Sequence, residues 1–342
     1  MKFREQDTDP SPYAYIEGDV HPQGTLVEPE KLKPTFPNSF CHARVFFAQD
    51  AAGHLVAIKI VKKDTHHDHI TRFLLQEEQE KLTENCVLPV LNILDVESAS
   101  FYFAVMPRWD IVPIHSFRTL GVVLAYMHCM LKGLRYLHSK NIVHRDIKYP
   151  NTVMNYCCGF YGRYPDSLKY TTLQAQGLVK YATIDFDFAI MFPPGALASQ
   201  CREHDYDPFA FDVALLGYLF CCRFQHLTPY EPMLAPLLDK MVTRTVSNRF
   251  TASEALAFLD DFLPSVHLGT PVPTDFLAGY YEQYDRWKDL PPEFIQRWSS
   301  YREPPVPRTT IWLRKITYWG TGYHWICFHS LAPILLDVNA KW

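Results

Sequence analysis

The sequence predicts an α+β chain in two parts: a small antiparallel-sheet lobe with one helix, then a larger helical lobe. Three observations carry this bilobal expectation. Short runs rich in Val, Ile, Phe and Ala crowd the stretch from Arg44 to Met106. After Pro107 the pattern changes to a Pro-free apolar segment, Leu120 to His138, with helical spacing. Further on, Thr251 is followed three residues later by Glu254, the capping-box signature of a helix start. Strands followed by helices, rather than alternating with them, argue for segregated sheet and helical layers.

Taken in order, residues 1–35 are polar, carry Pro10, Pro12, Pro22, Pro29 and Pro34, and read as an irregular N-terminal arm. Arg44–Ala48 and Leu55–Val61 read as two strands of a hairpin, with Asp50-Ala51-Ala52-Gly53 as its turn. Ile70, Phe73, Leu74 and Leu82 predict a single amphipathic helix from Ile70 to Leu82. Two more strands fit Val87–Val96 and Phe101–Met106. Asn141–Val143 and Tyr181–Ile184 read as short strands and residues 156–177 as an inserted loop. Asp212–Phe220 reads as a buried helix, and the capping box opens another over 251–262. The resulting divisions are the arm, a domain over 36–265 (small lobe 36–106, large lobe 107–265), and a Pro- and aromatic-rich extension over 266–342.

The 342 residues include only 14 Gly but 26 Pro, against usual shares of ~7% and ~5%. With 48% hydrophobic, 15% aromatic and 20% charged residues, disordered and collagen-like chains are excluded. The net charge of −4 lacks the basic footprint of a general nucleic-acid binder. Nine Cys without CxxC spacing, two pairs of them vicinal (Cys157-Cys158, Cys221-Cys222), suit neither a zinc site nor a disulfide framework. This points to a reducing compartment, cytoplasmic or nuclear. Ile316 to Leu336 carries no Asp, Glu, Lys or Arg, but it contains His324, His329, Gly320, Gly322 and Pro333. It reads as an aromatic tail packed on the protein in preference to a membrane span or interfacial anchor.

The segment richest in chemistry is His144-Arg145-Asp146-Ile147-Lys148-Tyr149-Pro150-Asn151. A carboxylate can orient a hydroxyl, a cation two residues later can neutralise a phosphoryl group, and an amide oxygen three residues beyond can ligate a hard cation. This segment resembles the catalytic loop of the eukaryotic protein kinase family, and other signatures of that family follow in order. Val56-Ala57-Ile58-Lys59 resembles the lysine strand, and Asp185-Phe186-Asp187 the metal-binding Asp-Phe-Gly with its Gly replaced. Asp212–Gly217 resembles the buried helix behind the catalytic loop, and Asn248–Ala252 the region of the late arginine.

The resemblance implies roles residue by residue. Lys59 holds the α- and β-phosphates of ATP and pairs with a helix glutamate; Glu77 and Glu78 compete, with Glu78 preferred. Asp146 orients the acceptor hydroxyl. Asn151 and Asp185 hold Mg²⁺, or Mn²⁺, and Lys148 marks the serine/threonine-directed branch. Val45, Ala57 and Val153 line the adenine, while the Met106 carbonyl and the Arg108 amide read it from the linker. His144, Phe186, Leu82 and Ile93 stack as an internal spine. The expected partners are ATP and a protein substrate.

The pattern also departs from the family. The phosphate-covering glycines fall on Asn38, Phe40 and Ala43. Asp187 follows Phe186 in place of the Gly; an Asp tolerates a left-handed turn there and adds a negative charge near the phosphates and the metal. The segment Asp185–Asp212 lacks Ala-Pro-Glu, so Glu203, Asp205 and Asp207 are the acids left to pair with Arg249 and Arg145. The alternatives are a pseudokinase scaffold and, less favoured, a small-molecule phosphotransferase. His66, His67 and His69 read as solvated loop histidines rather than metal ligands.

Overall fold

In the computed structural model the described residues are 16–17, 44–49, 55–113, 116–157, 168–193, 206–273, 284–304 and 306. In chain order they form β1 (Ile16–Glu17), β2 (Val45–Gln49), β3 (Leu55–Lys62), α1 (His66–Gln76), α2 (Gln79–Glu84), β4 (Asn92–Asp95), β5 (Phe101–Pro107) and β6 (Asp110–Ile111). Next come α3 (Leu120–Ser139), β7 (Ile142–Val143), β8 (Thr152–Met154), β9 (Tyr156–Cys157), α4 (Leu168–Ala175), β10 (Tyr181–Thr183) and β11 (Ile190–Met191). The series closes with α5 (Pro208–Phe224), α6 (Leu234–Val242), α7 (Ala252–Phe262) and α8 (Pro292–Arg297). The chain divides into two compact units, Met1–Ala196 with His267–Thr274, and Leu197–Val266 with Asp275–Trp342.

In the first unit a four-stranded antiparallel sheet runs in the order β2-β3-β5-β4. Its register pairs Val45 with Lys59 and Lys59 with Ala104, and likewise Phe47 with Ala57 and Ala57 with Met106. Because directly opposed residues share a face of a sheet, Val45, Phe47, Ala57, Lys59 and Met106 point to the same side. The expected hairpin is therefore present, although its turn lies outside the described residues.

The single helix expected over Ile70–Leu82 is two helices. Thr65 caps α1 through its side chain, and α1 ends where Glu77 and Glu78 turn extended. Tertiary contacts override propensity here. The Glu77 carboxylate accepts a 2.6 Å hydrogen bond from Tyr136 of α3 and ion-pairs with Lys81 at 2.7 Å. These partners, Lys81 first, hold its pKa below the usual glutamate value. Leu82 is thereby buried among Ile70, Leu74, Val87, Val90 and Phe186.

The long apolar pattern forms α3 as expected. Its N-terminal amides are satisfied from outside the helix: Leu120 and Gly121 donate to the Thr270 and Leu268 carbonyls at 2.9 Å. Two local readings change. The stretch 156–177 is not loop throughout, since residues 168–175 are helical, and the N-terminal arm contributes the two-residue β1, paired parallel to β9.

In the second unit, α5, α6 and α7 carry a largely aliphatic core. The Thr251–Glu254 capping box is present with both reciprocal bonds. Asp212 is fully buried within α5. Gly217 of α5 faces α6 so closely that an added Cβ would stand 2.7 Å from Met241 Cβ and 2.9 Å from Val242 Cγ1. Gly217→Ala is therefore expected to destabilise by about 1–3 kcal/mol through overpacking, read as a lowered denaturant midpoint with unchanged m-value. No described helix is long and apolar enough to cross a membrane. Residues 316–336 lie outside the described residues.

Candidate active site

The site is built where three short ladders of the first unit converge. β8 is flanked by β6 and β10, with Thr152 opposite Thr183 and Val153 opposite Ala182 and Ile111. The Ile184 amide donates to the Asn151 carbonyl at 2.9 Å. Asn151 and Asp185, 34 positions apart in sequence, are thus set side by side at the ends of neighbouring strands.

Asp146 stands on the loop between β7 and β8. Its backbone amide donates to His144 Nδ1 at 3.3 Å, and His144 Nε2 contacts the Ile184 carbonyl at 3.1 Å. Those partners place the imidazole proton on Nε2, because a carbonyl can only accept. The buried ring therefore ties the loop that carries Asp146 to the strand that leads into Asp185. The Asp146 carboxylate accepts from Lys148 Nζ at 2.7 Å and from Asn151 Nδ2 at 2.8 Å. Asn151 Nδ2 also reaches the Asp146 carbonyl at 3.0 Å. Both of these partners are acceptors, so the amide must turn its nitrogen toward Asp146 and leave Oδ1 available.

Lys59, only 7% exposed on β3, directs its ammonium at two carboxylates: Asp185 Oδ1 at 2.6 Å and Asp187 Oδ1 at 2.9 Å. This corrects the expected glutamate partner. Glu78 is an exposed residue at the N-cap of α2, and Glu77 is occupied by Tyr136 and Lys81. The left-handed conformation falls on Asp185 and not on Asp187. Asp185 has φ 77° and ψ 74°, whereas Asp187 lies in the 3₁₀ turn Phe186–Phe188 that follows. Arg145 has φ 64°. Such non-Gly conformations cost about 1–3 kcal/mol each and persist where the surroundings over-determine them. Because the positive φ falls at Asp185, the position after Phe186 does not require glycine.

Asp187 is the most heavily contacted carboxylate of the site. His67 Nδ1 lies 2.8 Å from its Oδ1, and the Arg44 guanidinium 3.6 Å from its Oδ2. His67 first, then Lys59, hold its pKa far below the usual aspartate value, against the opposing effect of burial.

A family model described as the protein kinase domain matches residues 42–208. This segment is a protein kinase domain. Over 41 residues the chain is 51% identical to the serine/threonine-protein kinase STE20 of Debaryomyces hansenii, a stretch covering 12% of this chain and 4% of that protein.

Within the kinase domain the expected base-binding residues fall partly as read. Val45 and Ala57 share the inner sheet face, and Val153 is buried with Leu88, Trp109 and Ala182. Met106, however, belongs to β5 rather than to a linker, and its side chain packs against two core clusters. Arg108, 5% exposed, lays its guanidinium 4.3 Å over the Phe47 ring. That stack involves a residue on the same face as Val45 and Ala57, and sequence reasoning considered only the Arg108 amide.

In the expected spine, Phe186 and Leu82 share a core cluster and His144 meets Phe186 at 5.2 Å between ring centroids. Ile93 does not join them, packing instead with Val61, Tyr102 and Ala104.

Asn38, Phe40, Ala43, Glu203 and Asp205 lie outside the described residues. Asp207 caps α5, accepting from the Phe209 and Ala210 amides. The Arg249 guanidinium donates to the carbonyls of Thr243 and Ala210. His67 and Asp187 are the site residues whose contacts sequence reading missed. The available signal was a carboxylate newly placed beside the lysine, together with a histidine cluster entering α1.

Proposed function

We propose that the chain is an ATP- and Mg²⁺-dependent protein kinase acting on serine and threonine hydroxyls of a protein substrate. The observation that carries this reading is the convergence of Lys59, Asp146, Lys148, Asn151 and Asp185 in the first unit. A binding scaffold has no chemical need for that set. The donor set suits a hard divalent cation: Asn151 Oδ1 is left available, and among the described residues nothing donates to Asp185 Oδ2. Asn151 and Asp185 would hold the ion, which when bound supplies charge neutralisation for the phosphates.

Asp146 accepts the hydrogen bond of the acceptor hydroxyl and aims its oxygen at the γ-phosphate. Lys148, 2.7 Å from that carboxylate and half exposed, stands where it can meet a phosphoryl oxygen. Lys59 contributes its ammonium to the α- and β-phosphates. Catalysis of this kind rests on positioning and fixed charge rather than on a covalent protein intermediate.

A second reading, a pseudokinase scaffold, is favoured by the lack of glycine at Asn38, Phe40 and Ala43. Calorimetric titration with ATP tests the nucleotide site. Wild type is expected to bind at least about tenfold more tightly with Mg²⁺ than without it, and Asp185→Asn to lose that difference. Affinity independent of metal in both proteins would overturn the reading. Metal-dependent binding without turnover would favour the scaffold.

A further inference from the structure

We propose that His67 and Asp187 are positioning residues for Lys59, together replacing the helix glutamate that this chain does not supply to it. Among the described residues no carboxylate on or flanking α1 and α2 pairs with Lys59, and Glu80 and Glu84 of α2 are exposed. Asp68 is bound by Arg72 and the Asp64 amide, Glu77 by Tyr136 and Lys81, and Glu78 is exposed. The link from the helix to the lysine runs instead through His67, in the first turn of α1. Its Nδ1 is 2.8 Å from Asp187 Oδ1, and that same oxygen is 2.9 Å from Lys59 Nζ.

Of the three clustered histidines, His66 and His69 are exposed, while the His67 side chain is 12% exposed and turned to the carboxylate. Asp187 can serve because the 3₁₀ turn after Asp185 brings its side chain back toward β3. Lys59 is thus held from two sides: by Asp185 from the strand that carries it, and by Asp187 braced on α1. An aspartate at position 187 and a helix that offers Lys59 no glutamate are therefore linked through one set of contacts. A helix that moves relative to β3 would release Asp187, and with it Lys59.

Lysine-directed acylation of the full chain without nucleotide, read by mass spectrometry at Lys59, tests the positioning alone. His67→Leu is expected to raise the Lys59 labelling rate about tenfold, the order of one hydrogen bond to a charged group. His67→Asn, whose amide nitrogen can occupy the place of Nδ1, is expected to stay near wild type. Asp187→Gly is expected to behave like His67→Leu. Thermal unfolding of His67→Asn and His67→Leu at matched midpoints separates positioning from loss of fold.

The kinetic arm rests on the phosphotransfer reading. There His67→Leu is expected to raise KM for ATP about tenfold with kcat changed less, and His67→Asn to restore it. Labelling unchanged in both His67→Leu and Asp187→Gly overturns the proposal, as does a rise in ATP turnover on their introduction, which would make the contact a brake. Labelling as expected in a protein that turns over no ATP leaves the positioning intact and removes the kinase activity instead.

Discussion

Asp146→Asn is expected to lower kcat for phosphoryl transfer by about 10²–10⁴-fold, the range of a lost general base, with KM for ATP little changed. On the proposed reading the Asp146 carboxylate accepts the hydroxyl proton, while the nucleotide contacts fall to Lys59, Asn151 and Asp185. Asparagine keeps the size and can still accept from Lys148 and Asn151, which reach the carboxylate at 2.7 and 2.8 Å. What it loses is the charge. Since Lys148 is half exposed, the ion pair itself contributes at most about 1 kcal/mol, so the variant is expected to fold normally and the deficit to be chemical. A fall in kcat with a matched loss of thermal stability would instead mean that Asp146 acts as a structural hub.

Asp239→Ala is expected to be the most destabilising single change in the second unit, at about 3–5 kcal/mol. Asp239 of α6 is 2% exposed. Its Oδ1 accepts from Arg286 Nε at 2.9 Å and Nη2 at 2.6 Å, and its Oδ2 from Trp287 Nε1 at 2.8 Å and the Glu303 amide at 2.7 Å. Removing the carboxylate deprives a largely buried guanidinium, which also donates to Gln225 Oε1 at 2.9 Å, of its paired charge. It also frees the segment whose Trp287 and Leu290 pack on Ala235. Breaking one side of a buried pair costs more than replacing both sides. Asp239→Ala combined with Arg286→Met is therefore expected to be less destabilising than the sum of the two singles in a denaturant double-mutant cycle. Additive losses would show that the two groups do not act as a pair.

Sequence reading was strongest where local pattern and chemistry coincide. The β2–β3 hairpin, α3, and the capping box of α7 follow from periodicity and cap residues. Asp146, Lys148 and Asn151 follow from the chemistry and spacing of one loop, and Asp185 from the resemblance to the kinase family. Lys59 was legible as a residue but its partner was not, because the choice between Glu77 and Glu78 turned on where a helix breaks. That break is held by the bond from Tyr136 to Glu77, 59 positions away in sequence. The role of Asp187 was read through backbone conformation, whereas its contacts are fixed by His67 across the fold. Met106 was read as the first linker residue, whereas strand β5 continues to Pro107, and the Arg108–Phe47 stack has no sequence signature. The anchoring of residues 285–303 on α6 is equally non-local: nothing in the spacing of Asp239 and Arg286 announces a buried pair.

The most direct test is transfer of the γ-phosphate of ATP to a protein acceptor in the presence of Mg²⁺, wild type against Asp146→Asn, with the phosphorylated amino acids identified. The expected result is phosphoserine and phosphothreonine formed by wild type and reduced by about 10²-fold or more in the variant. Equal transfer by both proteins, or no transfer by wild type across acceptors and with Mn²⁺, would contradict a catalytic role for the site.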